Sequence, residues 1–66
     1  MKPTPEQEAA IIGTLRKLGA MSAADVAWLC CHVLPDGRTV RAWLRALAIE
    51  GKVKRVGVRP ERWGLA

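Results

Sequence analysis

The chain has 66 residues, 50% of them hydrophobic and 26% charged, with a formal charge of +5. That length allows one domain with a thin core, in which about 60% of the open chain's surface is buried. A half-apolar composition excludes a disordered chain, and scattered charge without ~18 consecutive apolar residues excludes a membrane span.

The opening segment, Met1-Lys2-Pro3-Thr4-Pro5-Glu6, lacks the apolar stretch of a signal peptide, and a cytoplasmic protein is expected. The first helix is predicted over residues 5–18. Thr4 is its N-cap, Pro5 suits the first helical position, and Gln7 completes a capping box. Glu6 and Glu8 lie in the first turn, where the helix dipole favours negative charge, and Arg16 and Lys17 lie in the last. Ile11, Ile12, Leu15 and Leu18 recur at helical spacing, and Gly19 is the stop.

A second helix is predicted over residues 23–32. Ser22 is its N-cap, with Asp25 three residues on, and Met21 and Val26 sit where a hydrophobic staple forms. Val26, Leu29, Cys30 and Val33 share one face. Pro35-Asp36-Gly37 supplies strong turn chemistry. The third helix is expected to be capped by Asp36 and to run from Gly37 through Glu50 to a stop at Gly51. Val40, Trp43, Leu44 and Leu47 form its apolar stripe. Arg38, Arg41 and Arg45 fall within roughly 60° of one another on a different face.

After Gly51 the pattern changes. Lys52-Val53-Lys54-Arg55-Val56 reads as a strand, Gly57-Val58-Arg59-Pro60-Glu61 as a loop, and Arg62-Trp63-Gly64-Leu65 as a returning strand. Ala20-Met21 is positioned to add a minimal third strand. The expected fold class is mainly α with a small β-hairpin.

Charge is unevenly placed along this order. Residues 1–35 balance three basic against three acidic residues, whereas residues 36–66 hold eight basic against three acidic. The whole excess therefore lies on the third helix and the hairpin, the footprint of a polyanion-binding surface.

Two helices joined by a turn-rich segment, then a basic hairpin, resemble the winged helix-turn-helix family. The resemblance rests on the stretch from Asp36-Gly37-Arg38-Thr39 through Trp43 and Leu44 to Glu50-Gly51-Lys52-Val53-Lys54-Arg55. It covers nearly the whole chain as one domain. It implies a recognition helix followed by a wing, double-stranded DNA as partner, and the role of a small transcriptional regulator of a bacterium or bacteriophage. The tail, with Pro60 and then Trp63-Gly64-Leu65-Ala66, is also similar to Zα-type domains that bind left-handed nucleic acid. Arg41 and Arg45 stand where those domains present an asparagine and a tyrosine, and Glu61 replaces a second wing proline, so this likeness is one of fold.

The candidate DNA-binding residues are Arg38, Thr39, Arg41 and Arg45 on the third helix, with Lys54, Arg59, Arg62 and Trp63 on the hairpin. Arginine's paired donors match guanine O6 and N7 or a phosphate. A basic hairpin suits flanking backbone, although lysines also protect an exposed strand edge. Thr39 and Ser22 open helices, where hydroxyls donate to phosphates or cap the helix itself. Trp43 reads as core. Trp63 is expected to be partly exposed, with its indole N–H free to reach a phosphate.

Trp28, with Ala24 and Ala27, falls off the apolar stripe of the second helix and marks a candidate protein interface, for a partner or a second copy. Cys30 and Cys31 are adjacent, too close to bridge each other, and with His32 supply too few ligands for tetrahedral zinc. No metal, cofactor or small-molecule substrate is expected. One serine, one histidine and no glycine-rich phosphate loop give catalysis no support.

Overall fold

Thr4 opens α1 (Pro5–Leu18) with a complete capping box. Its Oγ1 accepts from the Gln7 N–H at 3.1 Å, and Gln7 Oε1 accepts from the Thr4 N–H at 2.9 Å. Gly19, at φ 88°, ends the helix in a conformation that side-chain-bearing residues resist. Ser22 Oγ then accepts from the Asp25 N–H at 3.1 Å and starts α2 (Ala23–Leu29). These elements come from a computed structural model, which describes residues 2–66; Met1 lies outside the described residues.

α2 stops three residues before the expected position. Cys30 leaves helical geometry at φ −113°, and its carbonyl accepts from both Val33 and Leu34, closing a tight turn. Two contacts favour the early stop. Thr14 Oγ1 and Cys30 Sγ lie 3.0 Å apart, and Leu34, just before Pro35, turns inward to 6% exposure. A residue preceding proline is held out of helical geometry in any case. Gln7 Nε2 donates to the Val33 carbonyl at 3.1 Å, tying the start of α1 to this turn.

α3 (Gly37–Ile49) begins after Asp36, but the expected side-chain cap is not made. The Asp36 carboxylate instead accepts from Thr39 Oγ1 at 2.7 Å. Gly51, at φ 80°, reverses the chain into β1 (Val53–Val58), which pairs antiparallel with β2 (Glu61–Leu65). The strands run further than the sequence pattern indicated, leaving only Arg59-Pro60, joined by a cis peptide bond, at the tip. A bulge between Arg55 and Gly57 bends β1. Gly57 suits this position, since a Cβ would sit a tight 3.1 Å from the Pro60 carbonyl oxygen. Met21 pairs with Trp63 through two hydrogen bonds of 3.0 and 2.8 Å, so the expected third strand exists as a single bridge.

The order is thus three helices followed by a two-stranded hairpin. The core draws Ile11 and Leu15 from α1, Ala23, Val26 and Ala27 from α2, and Val40, Trp43, Leu44 and Leu47 from α3. Leu34, Val53 and Trp63 complete it. Two expected stripe members, Leu18 and Leu29, are instead exposed, because three short helices and one hairpin enclose only a narrow stripe of each helix. No helix is long and apolar enough to cross a membrane among the described residues.

Leu44 is wholly enclosed, at 0% exposure. Leu44→Ala is expected to lower stability by about 2–5 kcal/mol, a large share of the total for a small domain. Urea unfolding followed by circular dichroism measures it; a loss well under 1 kcal/mol would contradict this packing.

Candidate nucleic-acid interface

The outward side of α3 follows from its inward side. With Val40, Trp43, Leu44 and Leu47 buried, helical geometry turns Arg38, Ala42, Arg45 and Ile49 to solvent in one row. Arg41 lies beside this row, on the flank nearest the hairpin. Ile49, 89% exposed at the end of the row, is a surface residue that sequence reading placed nowhere.

Arg41 is not free. Its Nε donates to Glu61 Oε1 at 2.8 Å and its Nη2 to Oε2 at 3.5 Å. Arg55 Nη1 donates to the same Oε2 at 3.4 Å. Hydrogen bonding and charge from Arg41 hold the Glu61 carboxyl below the usual carboxylate range against partial desolvation, with help from Arg55. The same bond raises Arg41 further above its already high value. One carboxylate therefore joins the third helix to both strands of the hairpin.

The hairpin register sorts the other cations. Glu61, Trp63 and Leu65 share the core-facing side of β2, with Arg55 opposite Trp63. Arg62 and Gly64 face the other way, and Lys54, opposite Gly64, faces with them. Lys54 and Arg62 are therefore carried on the side of the hairpin turned away from Glu61, while Arg59 stands at the tip. Lys52 is occupied elsewhere, at 2.9 Å from Glu8 and 3.3 Å from Glu50, and the Glu8 bond is the main cause of its raised pKa. Arg38, Arg45, Lys54, Arg59 and Arg62 make no ion pair among the described residues.

An open groove of about 490 Å³ lies where three elements converge. Ser22 and Ala24 from the start of α2, Gly37, Arg38 and Arg41 from α3, and Pro60 and Glu61 from the hairpin line it. The structure thus brings Arg38, Arg41 and the hairpin tip to one surface, with Arg45 continuing the row. It does not bring Lys54 and Arg62 there.

Three further sequence readings change. Thr39 donates its hydroxyl proton to Asp36, a bond that a phosphate would have to displace. Trp63 is 2% exposed, and its Nε1 is buried without a hydrogen-bond partner among the described residues; it is core rather than surface, because its side chain lies on the face of β2 that packs on the helices. Ala27, grouped with Trp28 as surface, is buried at 8% because α2 turns Ala23, Val26 and Ala27 inward together. Trp28 is 77% exposed, beside exposed Ala24, above a second shallow groove bounded by Pro35 and Gly37.

Cys31 Sγ and His32 Nδ1 lie 3.7 Å apart on the exposed turn after α2, a contact not foreseen from sequence. No group of three or more metal-ligating residues assembles among the described residues. Comparison with known protein families, with curated proteins and with solved structures finds no match to this chain.

The Glu61 carboxylate supplies a pH test. Because its folded pKa is depressed, its contribution to stability is present above the unfolded carboxyl pKa and is lost as pH falls through the folded value. Carbon-detected NMR titration is expected to place the Glu61 midpoint below the ordinary glutamate value. Arg41→Ala should return it upward; an unmoved midpoint would show that Arg41 does not hold it.

Proposed function

We propose that this chain is a winged helix-turn-helix protein that binds duplex DNA, acting as a small transcriptional regulator of the bacterial or phage type. α3 serves as the recognition helix and the hairpin as the wing. The observation that carries the reading is the shared surface: Arg38, Arg41 and Arg45 on one helix, continuous with a basic hairpin tip. A helix of 13 residues extends about 20 Å and fits a major groove about 12 Å wide. Arg59, at the hairpin tip, is the residue proposed to meet the phosphates flanking that groove. The buried Trp43 and Trp63 tie the two elements to one core.

Arg38, Arg45 and Arg59, plus the single positive charge left by Arg41, Arg55 and Glu61 together, give a net charge of about four on this side. Titration on a mixed-sequence duplex is therefore expected to show log K falling with log salt at a slope of about −3.6. Arg38→Ala, Arg45→Ala and Arg59→Ala should each flatten the slope by about 0.9. Lys54→Ala and Arg62→Ala should leave it nearly unchanged. Absence of duplex binding at low salt would end the reading.

Trp28 favours a second reading, a protein-interaction module. A tryptophan at 77% exposure gains nothing from solvent and offers a partner protein an apolar anchor. Trp28→Ala then removes function while Arg38→Ala and Arg45→Ala preserve it; the opposite pattern discards this reading.

A further inference from the structure

Glu61 is out of place on a surface that gathers cations. A carboxylate in that position repels phosphate, and its side chain, 19% exposed, is held there by two arginines at 50–51% exposure. Ordinary solubility does not account for it, since the same charge elsewhere would leave the basic side intact.

The edge of Arg41 that Glu61 engages is informative. Nε and Nη2 face the carboxylate. The guanidinium has five N–H donors in a planar fork, so Nη1 and the second Nη2 proton remain. Those two ends form the pair that matches guanine O6 and N7, and the matching geometry is bidentate. A carboxylate on one edge restrains the plane of the fork and leaves the Nη1–Nη2 edge of a half-exposed side chain to other acceptors.

The geometry points to Arg41 as the residue that reads a guanine in the major groove, with Glu61 as the positioning residue that aims it. This rests on the duplex-binding reading above. Glu61 acts on the same recognition in a second way. It withholds the charge of Arg41 and Arg55 from indiscriminate phosphate contact, lowering affinity for arbitrary sequence while keeping the guanine contact. Discrimination is a difference between two affinities, and a repulsive group on the surface widens it.

The test uses a pool of duplexes with randomised central base pairs, followed by titration on a selected and on a mixed-sequence duplex. The wild-type chain is expected to select a G·C pair at one position by about tenfold or more over other pairs. Glu61→Gln, close to isosteric, is expected to raise mixed-sequence affinity, steepen the salt slope by about one, and erode the G·C preference. Arg41→Lys keeps the charge without the fork; it should lose the preference while keeping mixed-sequence affinity. Circular dichroism confirms that each variant is folded, and Arg41→Lys provides the reading if Glu61→Gln is not. A wild type that binds duplex with no G·C preference, or a Glu61→Gln chain with unchanged slope and preference, overturns the Arg41–Glu61 assignment and leaves duplex binding standing. A wild type that binds no duplex overturns both.

Discussion

Trp63 is the side chain on which the other elements converge. Its backbone joins β2 to Met21 through two hydrogen bonds, and its indole, 2% exposed, fills the space beneath the hairpin. A chain of 66 residues without a disulfide has little else with which to hold a hairpin against helices. Tryptophan has the largest side chain and buries up to about 250 Å². The indole nitrogen, which has no partner among the described residues, is a cost accepted for that area. Without Trp63 in place, Glu61 two residues earlier would have no fixed position from which to meet Arg41.

The helices were largely legible in the sequence because their ends are written locally. Thr4 with Gln7, Ser22, Gly19 and Gly51 each satisfy or end a helix through neighbours within a few residues. Features set by distant contacts were not legible. Leu34 lies outside every apolar stripe read from the sequence, and its place in the core follows from the turn between α2 and α3. Trp63 reads as partly exposed from sequence because nothing local announces which face of the hairpin the helices will cover. Alternation along the hairpin was readable in kind, yet the bulge after Arg55 and the true extent of the strands were not, so the faces of Lys54 and Arg62 required the register.

The candidate surface divides in the same way. The arginine row of α3 follows from spacing alone, since a buried stripe fixes the opposite side of the same helix. Counting charges does not reveal how they are spent. Lys52 is spent between Glu8 and Glu50, and Arg41 and Arg55 share Glu61. Each pairing joins residues that charge counting treats as independent. The excess of basic residues is therefore a poor guide to how much positive charge the groove side presents, and the pairing pattern is the better one.

The placement of the three tryptophans has a practical outcome. Trp43 and Trp63 are enclosed, while Trp28 stands almost fully in water. An aqueous quencher such as iodide reaches one indole and not the other two, so the emission of the unlabelled chain separates into a solvent-facing component and a shielded one. Molecules touching the α2 side alter the first, and loosening of the interior alters the second, which gives two independent optical channels without attached dyes.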